Sequence, residues 1–267
     1  MRILLALAPI LPAGSASDAT PKVESCPSIW ASEAAVVEED LPVTDRLEAV
    51  RARIEAAAAR SNRDPLDVRL IAVSKGMPAA RVDDAIAAGV EDIGEARIQE
   101  AADKQREVRN AARWHLIGHL QTNKAARAAT LFDFVHSVDS TRVADALSAH
   151  RPVGRGPIGV LLEVELTGLP TRYGVAEPDV EGAVQQLVNV PSIHLIGLMT
   201  IAPYSDDPDD ARAAFTRLRR LRDHMEHMTG WALPELSMGM SNDFEIAIEE
   251  GATMVRIGRA IFGERVA

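Results

Sequence analysis

The sequence predicts an α/β protein built as a single-domain parallel (β/α)8 barrel, also called a TIM barrel. Three observations lead to this fold class. Eight short apolar runs, rich in β-branched residues, alternate with amphipathic helical patterns. The runs are mostly continuous in apolar residues, as expected for parallel strands that helices cover. The regular pattern extends over about 220 residues, a length that suits one such barrel.

The regular pattern begins with an amphipathic helix, in which Leu47, Val50 and Ile54 recur at helical spacing. The predicted strands follow in chain order as VRLIAVS, DIGE, WHLIG, FVHSV, GVLLEVEL, IHLIGLM, ELSMG and MVRIG. The helical patterns between them are ARVDDAIAAG, ARIQEAADKQREV, TNKAARAATL, TRVADALSAH, DVEGAVQQLV, DDARAAFTRLRRLRDHMEHM and NDFEIAIEEG. A doubly wound open sheet is the alternative, but it usually has fewer strands, and no GxGxxG turn follows the first predicted strand.

Residues 1–43 are predicted to be an N-terminal extension, and residues 44–267 the barrel domain. The first residues, MRILLALAPILPAGSASDA, loosely imitate a signal peptide, although Pro9 and Pro12 interrupt their apolar part. A disordered tail and a start codon assigned too far upstream are the alternatives. We expect a cytoplasmic protein, with export as the alternative.

Composition excludes several classes of function. The net charge of −10 argues against a nucleic-acid-binding surface, and no apolar run approaches the roughly 20 residues that span a bilayer. A single cysteine, Cys26, excludes an intramolecular disulfide framework. No histidine or carboxylate spacing indicates a metal site. We therefore expect no nucleic acid, membrane or metal as a partner. We also expect a monomer or weak dimer, an expectation that does not follow from composition.

Functional residues of such a barrel lie at the C-terminal ends of its strands. Nine residues lie at or near the ends of the predicted strands: Lys75, Glu95, His115, Arg172, Met199, Thr200, Ser241, Arg256 and Gly258. Because the C-terminal ends of the strands all lie at one mouth of such a barrel, we predict that these residues form one site.

Lys75 is the most informative of them, because the chain has only four lysines among its 29 basic residues. Arginine cannot lose its proton in a protein, whereas a desolvated lysine can, and it then attacks carbonyl groups. A lysine at the end of an apolar strand is therefore a candidate for covalent binding of an aldehyde. The alternative is a lysine whose amine simply reaches water.

The loops after the last two strands are the expected phosphate site of such a barrel. Asn242 and Glu245 resemble a capping box, so we expect a helix to begin beside Ser241 and to favour an anion there. Gly258 would let backbone amides approach a ligand closely. The alternatives are that Ser241 is only a cap and Gly258 only a turn.

Arg256 alternates with apolar neighbours and should face the barrel interior, where an unpaired charge is costly. Its partner is either a ligand atom or an ion pair with Glu163 or Glu165. His115 could lie against a ligand ring or be a core residue, and His119 and His136 are expected to be structural or exposed. A reactive lysine facing a phosphate site suits pyridoxal 5′-phosphate (PLP), and it also suits a sugar phosphate in an aldolase-type barrel.

Several segments resemble the signature segments of the pyridoxal phosphate homeostasis protein family, from about Asp45 to Gly263. They are AVSKGMP, GEARIQE, WHLIGHLQTNK, GLMTI and LSMGMSNDFEIAIEEGATMVRIGRAIFG. The resemblance implies a barrel like the N-terminal domain of bacterial alanine racemase. It further implies PLP bound as a Schiff base to Lys75, with the phosphate on Ser241 and the Gly258 backbone and with Arg256 facing the pyridine nitrogen.

The resemblance also implies a function in PLP homeostasis, namely binding, buffering or delivery of PLP and related vitamin B6 forms, with apo PLP enzymes as candidate recipients. Met240, His115 and Arg172 complete the set of expected cofactor-binding residues. Two positions depart from the family pattern. Ala96 and Arg97 replace the family's Asn-Tyr after the second strand, and Arg172 replaces a lysine, which puts the affinity for the ligand in question.

A PLP-dependent amino-acid racemase is the alternative function. Racemisation needs a proton donor or acceptor on each face of the substrate. The related racemases place one of these groups on a second, β-rich domain, and we expect none after Ala267. The two tyrosines, Tyr173 and Tyr204, lie elsewhere. We therefore expect no catalytic residue and a carrier rather than an enzyme.

Overall fold

Eight parallel strands close into a barrel, as the sequence predicts. The computed structural model describes residues 41–169 and 172–264. The strands are β1 (Arg69–Val73), β2 (Asp92–Glu95), β3 (Arg113–Leu116), β4 (Phe134–Val138), β5 (Ile158–Glu165), β6 (Val175–Ala176), β7 (Ile193–Met199), β8 (Glu235–Ser237) and β9 (Met254–Ile257). The two-residue β6 pairs only with the end of β5, so the other eight strands form the barrel.

The helices are α1 (Val43–Arg60), α2 (Ala79–Ala87), α3 (Ile98–Glu107), α4 (Ala125–Leu131), α5 (Thr141–Ala149), α6 (Val180–Leu187), α7 (Pro208–Thr229), α8 (Phe244–Glu249) and α9 (Arg259–Phe262). The predicted N-terminal extension covers residues 1–43, and residues 1–40 of it lie outside the part that the structure describes. The domain boundary at residue 44 remains a prediction.

The register of the strands decides which residues meet. β1 lies between β2 and β9, and Ile71 is opposite both Asp92 and Arg256. The barrel closes where β4 pairs with β5, with Phe134 opposite Gly159. Because every strand is parallel to its neighbours, the loops that follow the strands all open at the same end of the barrel.

Helix α1 completes the outer layer of helices. Its predicted apolar stripe of Leu47, Val50 and Ile54 is buried, and the helix packs against α2, α8 and α9. Up to residue 264, the last strand is followed by the four-residue α9, and α1 packs against both α8 and α2.

The barrel interior has an apolar part formed by Ile71, Leu161, Ile196, Met199 and Met254, all buried. Phe134 packs against them. Buried polar side chains fill the rest of the interior, and they form the candidate site described below.

The start of α8 differs from the prediction. The capping box of Asn242 and Glu245 is not formed, because the N-cap residue is Asp243 and the helix has only six residues. The Asn242 side chain instead accepts a hydrogen bond from Arg259 (2.6 Å). The Asp243 carboxylate accepts one from the backbone N–H of Met240 (2.6 Å). Asp243 thus closes the loop that carries Ser241.

Candidate cofactor-binding site

Lys75 lies in a turn two residues beyond the end of β1, and it is exposed. The sequence prediction had placed it at the end of a buried strand. The next residue, Gly76, has a φ of 78°, which glycine adopts without steric cost. Its N–H donates to the Glu100 carboxylate (2.5 Å). The turn that carries Lys75 therefore follows β1 at the mouth of the barrel, and its backbone is tied to α3.

A buried lysine, Lys104, fixes the same turn from the other side. Its Nζ donates to the carbonyl of Ser74 (2.6 Å) and lies 2.5 Å from Glu95 Oε1 and 2.7 Å from Glu100 Oε1. The Ser74 hydroxyl also donates to Glu95 (2.5 Å). We define these four residues, Ser74, Glu95, Glu100 and Lys104, as the Lys104 cluster.

The Lys104 cluster corrects one prediction. Glu95 does not face the mouth but points between β2 and α3, where it is fully buried. Burial raises the pKa of Glu95, and the hydrogen bonds and charge of Lys104 only partly oppose that effect. Burial also raises the pKa of Glu100, but hydrogen bonds from Lys104 and Gly76 outweigh it and leave this pKa lowered. The sequence signal was the rarity of lysine, which applied to Lys104 as much as to Lys75.

The predicted phosphate loops come together. Ser241 Oγ lies 3.5 Å from the backbone nitrogen of Ala260, in the first turn of α9. Gly258 precedes that turn, and a Cβ at Gly258 would lie 3.0 Å from the carbonyl oxygen of Val73. The glycine is therefore needed for the close approach of β9 to the end of β1, and it lies beside the strand that leads to Lys75.

Arg256 faces the interior, as predicted, and is only 5% exposed. Its Nη1 donates to the Ser237 hydroxyl (2.5 Å), and its Nη2 donates to the Thr200 carbonyl (2.9 Å). Burial lowers the pKa of Arg256 to about 10, against the opposing charges of Glu163 and Asp243. The guanidinium is held beneath the mouth by uncharged oxygen atoms.

The alternative partners of Arg256 lie elsewhere. Across residues 41–169 and 172–264, neither Glu163 nor Glu165 forms an ion pair with it. Glu163 is buried, and its Oε2 has no hydrogen-bond partner. Burial raises the pKa of Glu163 to about 7. The Glu165 carboxylate instead accepts hydrogen bonds from the N–H groups of Thr167 (2.6 Å) and Gly168 (2.9 Å).

His115 is fully buried inside the barrel, which favours the core alternative over contact with a ligand ring. Its ring stacks on Phe134, with 4.5 Å between the centroids. Its Nε2 lies 2.7 Å from Asp92 Oδ1, and its Nδ1 lies 2.8 Å from Nε2 of His136. His136 is buried as well, so of the two expectations for it, structural or exposed, the structure supports the first.

The hydrogen bonds of His115 belong to a longer series. His136 Nδ1 lies 2.8 Å from the Ser237 hydroxyl, which also accepts from Arg256. The Asp92 carboxylate accepts two hydrogen bonds from Arg113, at 2.8 and 2.7 Å. The sequence singled out His115 and His136 separately. It gave no sign that their strands would align them with Ser237.

Met240 and Arg172, the two remaining predicted residues, lie near the same end of the barrel. Met240 is 39% exposed and precedes Ser241. Arg172 is partly buried, and its charge acts to lower the pKa of Glu163 and of Glu165. The loops after the strands, which carry Lys75, Ser241, Gly258, Met240 and Arg172, thus open at one end of the barrel, while Arg256 and His115 are buried inside it.

The described part of the chain contains no cluster of three or more histidine, cysteine or acidic residues that could hold a metal ion. In the same part, no helix combines the length and the apolar character needed to cross a membrane. The predicted site residues supply a primary amine (Lys75), a buried guanidinium (Arg256), a hydroxyl group (Ser241) and backbone N–H groups.

Comparison with known proteins agrees with this fold. The family model described as the alanine racemase N-terminal domain matches residues 46–266. The pyridoxal phosphate homeostasis protein of Pseudomonas aeruginosa is 43% identical over 224 residues, covering 84% of this chain and 96% of that protein. Its namesake in Aquifex aeolicus is 38% identical, covering 83% and 97%. The chain belongs to the pyridoxal phosphate homeostasis protein family.

Solved structures give the same result. PipY of Synechococcus elongatus, solved with PLP bound, has a TM-score of 0.74 and 36% identity, covering 83% of this chain and all of that one. The structure of PipY without PLP has a TM-score of 0.75 and 37% identity, with the same coverage. The alanine racemase of Corynebacterium glutamicum has a TM-score of 0.64 but 22% identity, covering 84% of this chain and 63% of that one, so it shares the fold alone.

Proposed function

We propose that this protein binds PLP through Lys75 and serves in PLP homeostasis, as a binder, buffer or carrier of the cofactor and of related vitamin B6 forms. The observation that carries the proposal is the pairing of β1 with β9. It brings the turn of Lys75 beside Gly258 and above Arg256. The names of the relatives and the PLP in the PipY structure support the same ligand.

The residues at the mouth fit the groups of PLP. PLP supplies an aldehyde that a primary amine binds covalently with loss of water. Lys75 is exposed and offers such an amine. The Ser241 hydroxyl and the N–H groups of the turn after Gly258 are donors for a phosphate, and the absent Cβ of Gly258 leaves its backbone accessible.

Arg256 is the residue proposed to face the ring nitrogen. The guanidinium carries five N–H donors. Among the described residues, it donates two hydrogen bonds, to Ser237 and to the Thr200 carbonyl. A guanidinium can only donate, so a ring nitrogen next to it has to accept and stays unprotonated. An unprotonated ring is a weaker electron sink, which suits holding the cofactor more than catalysis.

The test of the proposal is the covalent attachment of PLP. The purified protein incubated with PLP should gain an absorbance band that Lys75→Ala lacks. Reduction with borohydride should then fix a pyridoxyl mass on the peptide that contains Lys75. Lys124→Ala, which removes an exposed lysine from the start of α4, is the matched control and should be labelled like the wild type. A label on another peptide, or no label, would overturn the assignment of the site.

The racemase and aldolase alternatives make different predictions. A racemase would exchange the α-deuterium of labelled alanine or serine at enzyme-like rates, whereas we expect a carrier to show no sustained exchange. The raised pKa of Glu163 favours a test of the racemase alternative, because a carboxyl with a pKa of about 7 can exchange a proton near neutral pH. An aldolase would cleave a sugar phosphate and would show no PLP absorbance.

We further propose that apo PLP enzymes receive the cofactor, that the protein acts in the cytoplasm, and that it is a monomer or weak dimer. The single cysteine of the chain suits a reducing compartment. Recovery of activity by an apo enzyme mixed with the loaded protein tests delivery. Cell fractionation tests the location, and light scattering tests the oligomeric state.

A further inference from the structure

We propose that a chain of buried side chains inside the barrel fixes the direction of every hydrogen bond along it and positions Arg256 for the ring nitrogen of PLP. These hydrogen-bonded side chains are, in order, Asp92, His115, His136, Ser237 and Arg256. We call them the interior chain. Only its last link, from Arg256 to PLP, rests on the proposed function.

The interior chain begins at a carboxylate that can only accept. Asp92 receives two hydrogen bonds from Arg113, which lies at the exposed start of β3 and also donates to Glu91. An aspartate bound in this bidentate manner is ionised, and its lowered pKa agrees, since hydrogen bonds from His115 and Arg113 outweigh the effect of burial. His115 therefore has to donate from Nε2 to Asp92.

The two histidines then pass this direction on. Burial lowers the pKa of His115 and lowers that of His136 well below its ordinary value, which favours a neutral ring with one N–H at each position. With its proton on Nε2, His115 accepts at Nδ1, and the donor is Nε2–H of His136. The Nδ1 of His136 accepts in turn, and its donor is the Ser237 hydroxyl.

The far end of the interior chain agrees with this direction. The Ser237 hydroxyl donates its hydrogen bond to His136, and its oxygen accepts one from Nη1 of Arg256. Arg256 can only donate. A doubly protonated His136 would place a second cation near Arg256 and Arg69, whose charges both act to lower its pKa. Donors and acceptors therefore follow one another in a single direction, from the guanidinium to the carboxylate.

This arrangement sets the position of Arg256. Ser237 and the Thr200 carbonyl hold two nitrogens of one rigid, planar group, so the plane of the guanidinium is fixed. The remaining N–H groups then have a defined direction. Ser237 and His136 are thus positioning residues, because they act on the cofactor through Arg256.

The direction of the interior chain can be tested without PLP. In the full-length protein labelled with ¹⁵N-histidine, long-range ¹H–¹⁵N spectra report which ring nitrogen carries the proton. We expect His115 and His136 to be protonated at Nε2 only, from about pH 6 to about pH 8, the interval in which an ordinary histidine titrates. A proton on Nδ1 of His136, or on both of its nitrogens, would overturn the proposal.

Two serine variants test the effect on the cofactor. Ser237→Ala removes the link between His136 and Arg256. We expect the dissociation constant for PLP to rise about tenfold, as for the loss of a hydrogen bond to a charged group, and the absorbance maximum of bound PLP to shift. Ser137→Ala is the matched control, because Ser137 is equally buried but donates to the carbonyl of Gly118. It should bind PLP and absorb light like the wild type.

The outcomes separate this proposal from the proposed function. If Ser237→Ala matched the wild type in both affinity and absorbance, the positioning role would be wrong while PLP binding still held. If the wild-type protein bound no PLP, the proposed function would fail, and the histidine spectra of the unloaded protein would still decide the direction of the interior chain. The same spectra decide it if Ser237→Ala fails to fold.

Discussion

Glu163 is a single residue whose ionisation the fold opposes. Its carboxyl is buried near the mouth, one oxygen has no hydrogen-bond partner, and its pKa is raised from 4.5 to about 7. The folded state therefore binds this proton more tightly than the unfolded state does. The sign follows from linkage: the carboxyl favours folding most below pH 4.5, and this contribution is lost as the pH rises towards about 7.

We predict that Glu163→Gln removes this pH dependence. Between about pH 5 and about pH 8 the wild type should lose about 2 kcal/mol of unfolding free energy more than the variant does. Urea unfolding at the two pH values measures the difference. Glu48→Gln, on the exposed face of α1, is the control and should keep the wild-type dependence. An equal loss in the wild type and in Glu163→Gln would show that Glu163 does not titrate in this interval.

At the scale of the element, the Lys104 cluster determines how β1 ends. Lys104 lies on α3 but binds the backbone of Ser74, and Glu100 on the same helix binds the backbone of Gly76. The helix thus holds both sides of Lys75. The turn that carries Lys75 is therefore shaped by α3 as well as by its own Gly76.

We predict that Lys104→Met lowers the free energy of unfolding by about 3 kcal/mol, because it leaves the buried Glu95 without its counter-charge. Adding Glu95→Gln should recover part of the loss, since it removes the unpaired charge. Urea unfolding of the single and double variants measures both effects. Lys124→Met, at an exposed lysine, should be close to neutral. Simply additive losses in the double variant would contradict the coupling.

At the scale of the whole molecule, closure of the barrel depends on Gly159. A Cβ there would lie 2.5 Å from the ring of Phe134, which cannot retreat because it is stacked on His115. We predict that Gly159→Ala lowers the free energy of unfolding by about 1–3 kcal/mol, as overpacking typically does. Thermal unfolding of the full chain measures the change.

Gly182→Ala is the matched control, because Gly182 lies in α6 and a Cβ there would meet nothing within 4 Å. Alanine in an open helical position should leave stability unchanged or raise it by about 0.4–1 kcal/mol. A Gly159→Ala variant as stable as the wild type would mean that the β4–β5 seam yields more readily than its packing indicates.

The sequence predicted the barrel because its strands are apolar and its helices amphipathic, and both patterns depend only on neighbouring residues. The rule that function lies at the strand ends also selected Lys75, Ser241, Arg256 and Gly258. The same rule misplaced Glu95, whose side chain points to the helix layer, a fact that depends on the register of β2 and the rotation of α3. The interior chain could not be predicted from the sequence for the same reason, because its members His136 and Ser237 are 101 residues apart.

Helix α1 has a consequence for the order in which the protein can be made. Its arginines bind residues of α8 that are far away in the chain: Arg53 with Glu245, 192 residues apart, and Arg60 with Glu249, 189 residues apart. A ribosome adding about 5–20 residues per second needs about 10–40 s to synthesise that interval. Helix α2 is made soon after α1 and can pack against it early, whereas the side of α1 that contacts α8 has no partner until α8 has been synthesised.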